Sequence, residues 1–593
     1  MENCLLYTKW GKNLDPKNVL SEYPRPQLVR GGWRSLNGYW DYAVTKSAEE
    51  PENYDGKILV PFSPEAPLSG VMRNILPDEF LHYRLSFVYE GAPKAHVILH
   101  FGAVDERCEV FLNGVSIGSH RGGYLPFSFD IASVLKDGEN VLTLCVQDFS
   151  DSSYHANGKQ ALKRGGIWYT AQSGIWQTVW LEEAPENYIE NLKITPFFQN
   201  GEVLFEISAK NPEMANIVIY EHGRVIAEDW TDESGKAVLK TNVFHPFHPW
   251  SPNDPFLYDV KITLGEDEVT SYFAMREFAV RQDEHGVMRL VLNGKPLFHS
   301  GVLDQGYWPD GLYTAPSDEA MIEDICAMKR LGFNMLRKHI KIEPLRWYYH
   351  CDRLGMLVWQ DMVSGGVMRH FMLKSALSTL GVTKLRDDRY GFFGRRDVEG
   401  RREFLLDMEG TVRHLYNCPC IALWCIFNEG WGQFDSRKAF ERLSALDKTR
   451  SIDIASGWHD QGDGELLSLH VYFRPFKMVH DRRAVVLSEF GGYNCHIAGH
   501  CFNDADYGYR RFATPEKLTD AFCRLYRNEI IPAAENGLCA AVYTQLSDVE
   551  DEQNGILTYD RAVCKLPEKE IAAINEILTK GKSDALKFNQ TGS

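Results

Sequence analysis

The distribution of hydrophobic and polar positions divides the chain into three successive parts. In the first, up to about residue 184, short apolar or alternating runs follow one another without a helical period, at 81–89, 95–101, 109–112, 141–146 and 178–181. A period of two is typical of strands with one buried face. The Asn113-Gly114 pair predicts a two-residue hairpin between two such runs. We therefore expect a β-sandwich or a jelly roll in this part.

A second, smaller β-sandwich is predicted for residues 185 to about 282. Its strands are expected at 203–208, 216–220 and 257–264. The stretch 246–255 (PFHPWSPNDP) is too rich in proline for a strand or a helix, because proline has no N–H to donate. We expect an irregular connection there.

After about residue 294 the pattern changes to strands that alternate with helical periods. Eight apolar runs are strand candidates, at 297–303, 334–340, 357–362, 421–427, 452–456, 467–472, 484–488 and 539–545. Helices are predicted to begin after Ser317, at Pro344 and after Asp435, and the first two to end at Gly332 and Gly355. Eight strands with helices between them, over roughly 300 residues, predict a (β/α)₈ barrel.

Length, charge and cysteine content narrow the class of protein. The 593 residues are too many for one core, and the net charge of −17 argues against nucleic acid and anionic membrane surfaces as partners. No apolar run approaches the ~18 residues of a membrane span, and the N-terminus lacks the pattern of a signal peptide. Thirteen cysteines, an odd number without a disulfide framework, favour a cytoplasmic location.

Two glutamates stand at the ends of apolar runs and directly before or near glycine. Glu429 lies in WCIFNEGWG (424–432), after the fourth candidate strand, and Glu489 lies in VVLSEFGGY (485–493), at the end of the seventh. In a barrel these strand ends face each other across the catalytic mouth. Carboxylates about 5 Å apart would serve a retaining glycosidase, and a separation of about 6.5–9.5 Å an inverting one. Either residue alone could instead be a surface or salt-bridged acid.

These surroundings resemble glycoside hydrolase family 2, which includes β-galactosidases, β-glucuronidases and β-mannosidases. The resemblance rests on NE at 428–429 and SEFG at 488–491, and its most specific stretch is SGIWQTVWLE at 173–182. YPRP (23–26) and LNGYW (36–40) resemble the family's sugar-binding domain, WSP (250–252) with PFLY (255–258) its immunoglobulin-like domain, and LNGKP (292–296) the start of its barrel.

The predicted fold is thus multidomain, all-β followed by α/β. It comprises an N-terminal jelly-roll sugar-binding domain at 1–184, an immunoglobulin-like β-sandwich at 185–282, a catalytic (β/α)₈ TIM barrel at 283–580 and a tail at 581–593.

The resemblance also implies roles for individual residues. Glu429 would be the acid/base and Glu489 the nucleophile. Asn428 would hydrogen-bond the sugar 2-OH, and Tyr472, at the end of candidate strand 6, would steady the nucleophile. Arg337, at the end of candidate strand 2, would lower the pKa of the nucleophile through its opposite charge.

Other positions depart from the best-known members of the family. The His-Tyr-Pro of its β-galactosidases is absent, and Ile340 stands in place of that histidine. His339 and Lys341 are then either substrate contacts or solvated loop residues. Asp361 falls near one magnesium ligand of large β-galactosidases, but Val363 stands where a histidine would be, so we expect no metal. The Asn-x-Lys of β-glucuronidases has no counterpart at 552–556 (EQNGI).

Five further residues complete the predicted substrate site. Asp304 ends candidate strand 1 and is either a sugar ligand or a turn-capping acid. Trp431 is a stacking platform or a core residue. Trp458 and His470 are expected to line the pocket, and Gln545 ends strand 8, where many relatives place a tryptophan. The insertion 364–400 is long enough to be functional, and we expect it to shape the aglycone side.

Taken together, the sequence predicts a retaining exo-glycosidase that removes a terminal β-linked sugar without a cofactor. We rank a β-galactoside first, an α-L-arabinoside second and a β-glucuronide third. The expected partner is a glycoside or oligosaccharide, with no nucleic acid and no membrane, and a homo-oligomer remains open. The alternative from another class is a non-catalytic carbohydrate-binding protein, against which the presence of both glutamates argues.

Overall fold

The structure is a computed structural model that describes residues 5–241, 246–366, 384–504 and 507–580. The predicted tail at 581–593 and residues 367–383 of the predicted insertion lie outside this range. None of the helices in it combines the length and the apolar character needed to span a membrane.

The first sandwich consists of two antiparallel sheets that enclose one apolar core. In spatial order, one sheet contains Gly56–Val60, Gly38–Thr45, Phe80–Tyr89, Gly138–Gln147, Arg107–Leu112 and Val115–Arg121, and the other Phe127–Asp130, His96–Phe101, Val179–Ala184 and Trp33–Ser35. The five predicted strands are confirmed. The hairpin is confirmed as well, because Asn113 and Gly114 have φ of 54° and 78°, as a two-residue turn between twisted strands requires. The jelly-roll topology stays a prediction.

The middle sandwich also packs two antiparallel sheets around its own core. One contains Ile189–Phe197, Glu202–Ala209 and Lys236–Lys240, and the other Val29–Arg30, Asp267–Phe273, Tyr258–Leu264, Asn216–Glu221 and Arg224–Trp230. The predicted strands are confirmed, and residues 246–255 are irregular as expected.

One strand of the middle sandwich comes from the first part of the chain. Val29–Arg30 lies within the range predicted for the first domain, yet it pairs with Asp267–Phe273. The Arg30 guanidinium binds both carboxylate oxygens of Asp267, at 2.8 Å each, and Glu182 of the first sandwich at 2.9 Å. These groups are buried, so each charge is stable only while its partner is present. The two ion pairs of Arg30 therefore connect the two sandwiches.

The third part is a parallel eight-stranded barrel. We label its strands β1 (His299–Asp304), β2 (Met335–Lys338), β3 (Leu357–Asp361), β4 (Ile421–Asn428), β5 (Ser451–Ser456), β6 (Leu466–Val471), β7 (Ala484–Gly491) and β8 (Leu538–Thr544). Backbone hydrogen bonds connect them in the order β5-β4-β3-β2-β1-β8-β7-β6. The ends of β5 and β6 meet through side chains, because Ser456 Oγ lies 3.3 Å from Ser468 Oγ. All eight predicted strands are confirmed, with ends shifted by a few residues.

Helices surround this barrel. Those among the described residues are Asp318–Arg330, Leu345–Leu354, Val398–Leu415, Ser436–Leu446, Pro515–Leu525, Ile531–Glu535 and Glu568–Lys580, with a π-helical turn at Tyr526–Ile530. The Ser317 hydroxyl caps the first helix by accepting from Ala320 N, as predicted. Asp435 precedes Ser436–Leu446 as predicted but does not cap it. The Asp387 carboxylate accepts from Ser436 N instead, at 3.0 Å.

A segment of the first sandwich, residues 154–170, lies over the C-terminal ends of the barrel strands. The backbone N–H groups of Asn157 and Gly158 both donate to the Ser364 carbonyl beyond β3, at 3.1 Å. On the opposite side, Thr170 N donates to Glu550 beyond β8, at 3.0 Å. The sandwich therefore forms part of the wall around the barrel mouth.

Gly158 is a tightly packed point of this contact, and replacing it tests the docking. Its φ is +58°, and an added Cβ would lie 2.7 Å from Tyr313 Oη, 2.9 Å from Tyr124 Oη and 3.0 Å from the Ile340 carbonyl. We expect Gly158→Ala to lower the free energy of unfolding by about 2–4 kcal/mol, from the left-handed backbone and the overpacking together. Gly114→Ala is the matched control in urea unfolding, because Gly114 has φ +78° and open space around it. Equal losses in the two variants would contradict the tight docking.

Candidate active site

Glu429 and Glu489 converge at the mouth of the barrel. Glu429 follows β4, where its N–H donates to the Ser456 carbonyl at 2.9 Å and its φ is 51°. This left-handed backbone, rare for a residue with a side chain, turns the carboxylate away from the strand direction. Glu489 lies in β7, which continues to Gly491, and is 5% exposed. One carboxylate oxygen of each glutamate and His470 Nδ1 all lie within 4.8 Å of one another.

Glu489 is held by donors on both of its oxygens. Arg337 Nη1 donates to Oε1 at 3.1 Å, and the Tyr472 hydroxyl donates to Oε2 at 2.6 Å. His470 Nδ1 lies 3.5 Å from Oε2. Burial alone would raise the pKa of Glu489, but the charges of His470, Arg337 and His339 and the Tyr472 hydrogen bond hold this pKa below its ordinary value. The carboxylate is therefore kept ionised.

Arg337 is the centre of the network beneath the two glutamates. It is fully buried, and it donates to Asp361 Oδ1 at 3.0 Å and to Asn428 Oδ1 at 2.9 Å as well as to Glu489. A buried guanidinium is costly unless its N–H groups have acceptors, so these partners fix its position. The second oxygen of Asp361 binds His339 Nδ1 at 2.8 Å. Asp361, predicted to lie near a magnesium ligand, thus has both oxygens occupied.

His470 connects the two carboxylates to the floor of the barrel. Its Nδ1 lies 2.9 Å from Glu429 Oε1, and its Nε2 lies 3.0 Å from Ser456 Oγ. The Ser456 hydroxyl in turn contacts Ser488 Oγ at 3.0 Å. A register shift in β6 between Leu469 and His470 turns the ring toward the mouth. Sequence reasoning placed His470 in the pocket, and this shift has no sequence signal.

Three of the other predicted site residues are engaged by the protein itself. The Asp304 carboxylate binds Lys338 Nζ at 2.7 Å and caps the turn by accepting from Gly306 N at 2.9 Å. Gln545 is fully buried and accepts from Gln305 Nε2 at 2.8 Å, while its own NH₂ has no hydrogen-bond partner. Trp431 is buried and meets Trp168 of the sandwich edge to face, with ring centres 5.1 Å apart.

Two candidates lie at the margin of this network. Trp458, directly after β5, is half-buried. Lys341 was a candidate cation for the substrate, but Gly306 O, Tyr313 O and Glu343 accept its three protons, at 2.6, 2.8 and 2.8 Å. Burial lowers the pKa of Lys341 to about 8. Lys341 therefore has no donor left for a substrate.

Sequence reasoning missed Tyr509 and the residues that the sandwich contributes to the site. Tyr509 stacks on Tyr472 with ring centres 3.9 Å apart, which fixes the hydroxyl that reaches Glu489. Trp168 and Lys159 enter from the segment 154–170. Their positions depend on how the sandwich docks, and a local sequence pattern does not encode that contact.

Within the described ranges, Glu429, His470 and Glu489 are the one group of His, Cys, Asp or Glu side chains close enough to share a metal ion. A cation there would occupy both carboxylates and separate them from a substrate. The cysteine and histidine pairs at 495–496 and 500–501 form no such group, and His500 binds Asp560 at 2.7 Å.

Comparisons with known proteins match this architecture part by part. The family model for the sugar binding domain of glycosyl hydrolases family 2 matches residues 71–185, a second model of family 2 matches 187–276, and its TIM barrel domain model matches 285–486. The three matches follow one another along the chain in the order of the three parts of the fold.

Two relatives and two solved structures that resemble this chain share 30% sequence identity or less with it. A β-galactosidase of Vibrio vulnificus strain YJ016 is 30% identical over 472 residues, and one of strain CMCP6 is 28% identical over 467; each alignment covers 73% of this chain. The chain spans only 41% and 42% of these relatives' lengths. The β-D-glucuronidase of Dictyoglomus thermophilum superposes with a TM-score of 0.72 at 18% identity, covering 94% of this chain and 98% of that one. A β-galacturonidase of Eisenbergiella tayi bound to galacturonate gives 0.68 at 18% identity, covering 93% and 99%.

Proposed function

Because the chain belongs to glycosyl hydrolase family 2, we propose that it is a retaining exo-β-glycosidase that removes a terminal β-linked sugar. The observation that carries the proposal is the approach of the two carboxylates: one oxygen of Glu429 lies within 4.8 Å of one oxygen of Glu489. Retaining enzymes need carboxyl groups about 5 Å apart, whereas inverting enzymes leave room for a water molecule between them. The arrangement supports direct attack by one carboxylate on the sugar.

In the proposed first step, a carboxylate oxygen of Glu489 attacks the anomeric carbon. Glu429 gives its proton to the glycosidic oxygen as the bond to the aglycone breaks, and the aglycone leaves as an alcohol. Arg337 and Tyr472 support the role of Glu489, because they stabilise its ionised form before the attack. In the second step Glu429, now ionised, takes a proton from water. That water attacks the anomeric carbon and releases Glu489.

Asn428 is the proposed ligand of the sugar 2-OH. Its Oδ1 accepts from Arg337, which orients the amide so that its NH₂ is available as a donor. A hydrogen bond to the 2-OH that strengthens in the transition state would contribute to catalysis rather than to binding alone. Arg337 therefore positions both the nucleophile and this donor.

For the sugar, we place a β-galactoside first, with an α-L-arabinoside and a β-glucuronide as alternatives. The names of the relatives include β-galactosidase, and those of the similar structures β-glucuronidase and β-galacturonidase.

We also infer the domain ranges 1–184, 185–282 and 283–580. A cytoplasmic location is proposed because every cysteine in the described residues is a free thiol.

A panel of nitrophenyl glycosides tests the function, with NMR of the first-formed sugar as the second readout. We expect nitrophenol release from at least one β-glycoside and a β-configured sugar as the first product. An α-configured first product would contradict the retaining mechanism. Binding of glycans without release from any member of the panel would favour the non-catalytic carbohydrate-binding protein.

The pH dependence of the reaction tests the environment of Glu489. After burial, which raises the pKa of Glu489, the His470 charge is the largest opposing influence, followed by Arg337. In His470→Asn this pKa should rise. Because the acid limb of kcat/KM follows ionisation of the nucleophile in the free enzyme, the limb should move to higher pH.

His480→Asn is the control for this shift, since His480 is exposed on a loop after β6. The other groups that face Glu489 are Arg337, His339, Tyr472 and Glu429, and His470→Asn leaves them in place. An acid limb that stays unchanged in His470→Asn would show that the imidazole does not lower the pKa of Glu489.

A further inference from the structure

Lys159 reaches the barrel mouth from the sandwich segment 154–170. Its neighbour Gly158 packs against the Ile340 carbonyl, beyond β2, and donates to Ser364, beyond β3. The Lys159 Nζ lies 5.3 Å from the centre of the Trp168 ring. That ring packs edge to face on Trp431, two residues after Glu429. The ammonium group is therefore held above the ends of β2, β3 and β4.

Lys159 differs from four nearby cations because its ammonium group has no anionic partner. Arg337, Lys338 and Lys341 are buried in ion pairs with Asp361, Asp304 and Glu343. Arg164, on the same segment as Lys159, pairs with Asp551 at 3.0 Å. Over the part of the chain that the structure describes, the Lys159 ammonium has neither a carboxylate nor a carbonyl acceptor, and it faces the Trp168 ring.

The Lys159 charge influences the pKa of a histidine inside the site. Burial lowers the pKa of His339, Asp361 opposes that shift, and the Lys159 charge adds to the lowering. His339 lies directly after β2 and binds Asp361, which holds Arg337 under Glu489. The field of Lys159 therefore extends to the floor of the sugar site.

A further donor without an acceptor belongs to the ring that packs on Trp168. The indole N–H of Trp431 is buried and has no hydrogen-bond partner. Because that N–H is buried whereas Lys159 is half-buried, the Lys159 ammonium is the donor that faces an entering ligand. A negatively charged group with an oxygen acceptor satisfies it.

We propose that Lys159 binds a carboxylate carried by the glycoside substrate. The inference rests on the proposed glycosidase function and narrows its substrate class to acidic glycosides. The carboxylate has two possible sources, the C6 position of a uronic acid in the sugar site or an acidic aglycone. Either places a negative charge at the mouth between β2 and β4.

Matched substrate pairs separate these sources. Nitrophenyl β-D-galactoside and β-D-galacturonide, and the corresponding glucoside and glucuronide, differ only by a carboxylate at C6. Umbelliferyl and 3-carboxyumbelliferyl β-D-galactoside differ only by a carboxylate on the aglycone. The readout is the ratio of kcat/KM for the acidic member to that for the neutral member, measured in wild type, Lys159→Met and Lys159→Arg.

We expect Lys159→Met to lower this ratio about 10- to 100-fold in at least one pair, mainly through KM, because a hydrogen bond between charged groups is lost. Lys159→Arg should restore part of the ratio, and raised salt should lower it in wild type. The control is Lys163→Met, since Lys163 is exposed on the same segment. The pair that responds identifies the source of the carboxylate.

Two results would overturn the inference while leaving the proposed function in place. One is activity on neutral glycosides with no acidic member turned over. The other is an equal loss on both members of every pair in Lys159→Met. If wild type cleaves no glycoside at all, the proposed function fails, and the inference fails with it.

Discussion

Glu489→Gln is expected to abolish turnover, lowering kcat for an activated aryl β-glycoside by about 10⁴-fold or more. The substitution keeps the shape of the side chain but removes the charge and the nucleophilic oxygen. Arg337 and Tyr472 both donate to this residue, so they would face a neutral amide. The glycosyl-enzyme could not form, and the residual rate would come from binding and acid assistance alone.

The loss must be separated from misfolding, because Glu489 is part of a buried ion pair. Arg337 keeps Asp361 as its partner in the variant, so we expect the fold to survive with reduced stability. Urea unfolding of the variant checks this expectation. Glu441→Gln, on the exposed side of Ser436–Leu446, is the control for loss of a carboxylate elsewhere in the barrel. Full activity in Glu489→Gln would refute the assignment of the nucleophile.

The barrel could be predicted from the sequence because its signals are local. Each buried strand is an apolar run, and each helix begins and ends at residues with a defined backbone preference, such as Ser317 and Gly355. Counting these runs placed Glu429 and Glu489 at the ends of strands 4 and 7. In the structure both glutamates lie near these strand ends, and one carboxylate oxygen of each lies within 4.8 Å of the other.

The features that the sequence did not predict depend on contacts between distant segments. Val29–Arg30 is too short to carry a periodic pattern, and its pairing with the middle sandwich is set by Asp267 and Glu182. The approach of His470 to both glutamates depends on a register shift in β6. Asp387 rather than Asp435 caps the helix Ser436–Leu446, because Asp435 adopts a left-handed backbone that turns its side chain away.

The substrate side of the site was the least predictable for the same reason. Sequence reasoning looked for sugar ligands on the barrel strands and selected Asp304 and Gln545, but internal partners engage both. Lys159 was not considered, because it lies more than a hundred residues before the first barrel strand. Only the docking of the sandwich, through Gly158 and Ser364, brings it to the mouth.

The second large effect is expected for Glu429→Ala. Without the acid, cleavage of a glycoside with a poor leaving group should fall by about 10²–10⁴-fold. Dinitrophenolate leaves an activated glycoside without needing a proton, so the glycosyl-enzyme should still form. It should then accumulate, because no base activates the water for the second step. Azide needs no base, and the missing side chain leaves space for it. We therefore expect azide to restore turnover on the activated substrate.

The configuration of the azide product decides which glutamate has which role. In Glu429→Ala, azide attacks the glycosyl-enzyme from the face opposite Glu489, so the product should be the β-glycosyl azide. In Glu489→Ala, azide would take the place of the nucleophile and displace the aglycone directly, which gives the α-glycosyl azide. Both variants keep His470 beside the remaining carboxylate, at 2.9 Å from Glu429 or 3.5 Å from Glu489. The opposite pair of products would require Glu429 to be the nucleophile and Glu489 the acid/base, although Glu489 is the carboxylate that Arg337 and Tyr472 keep ionised.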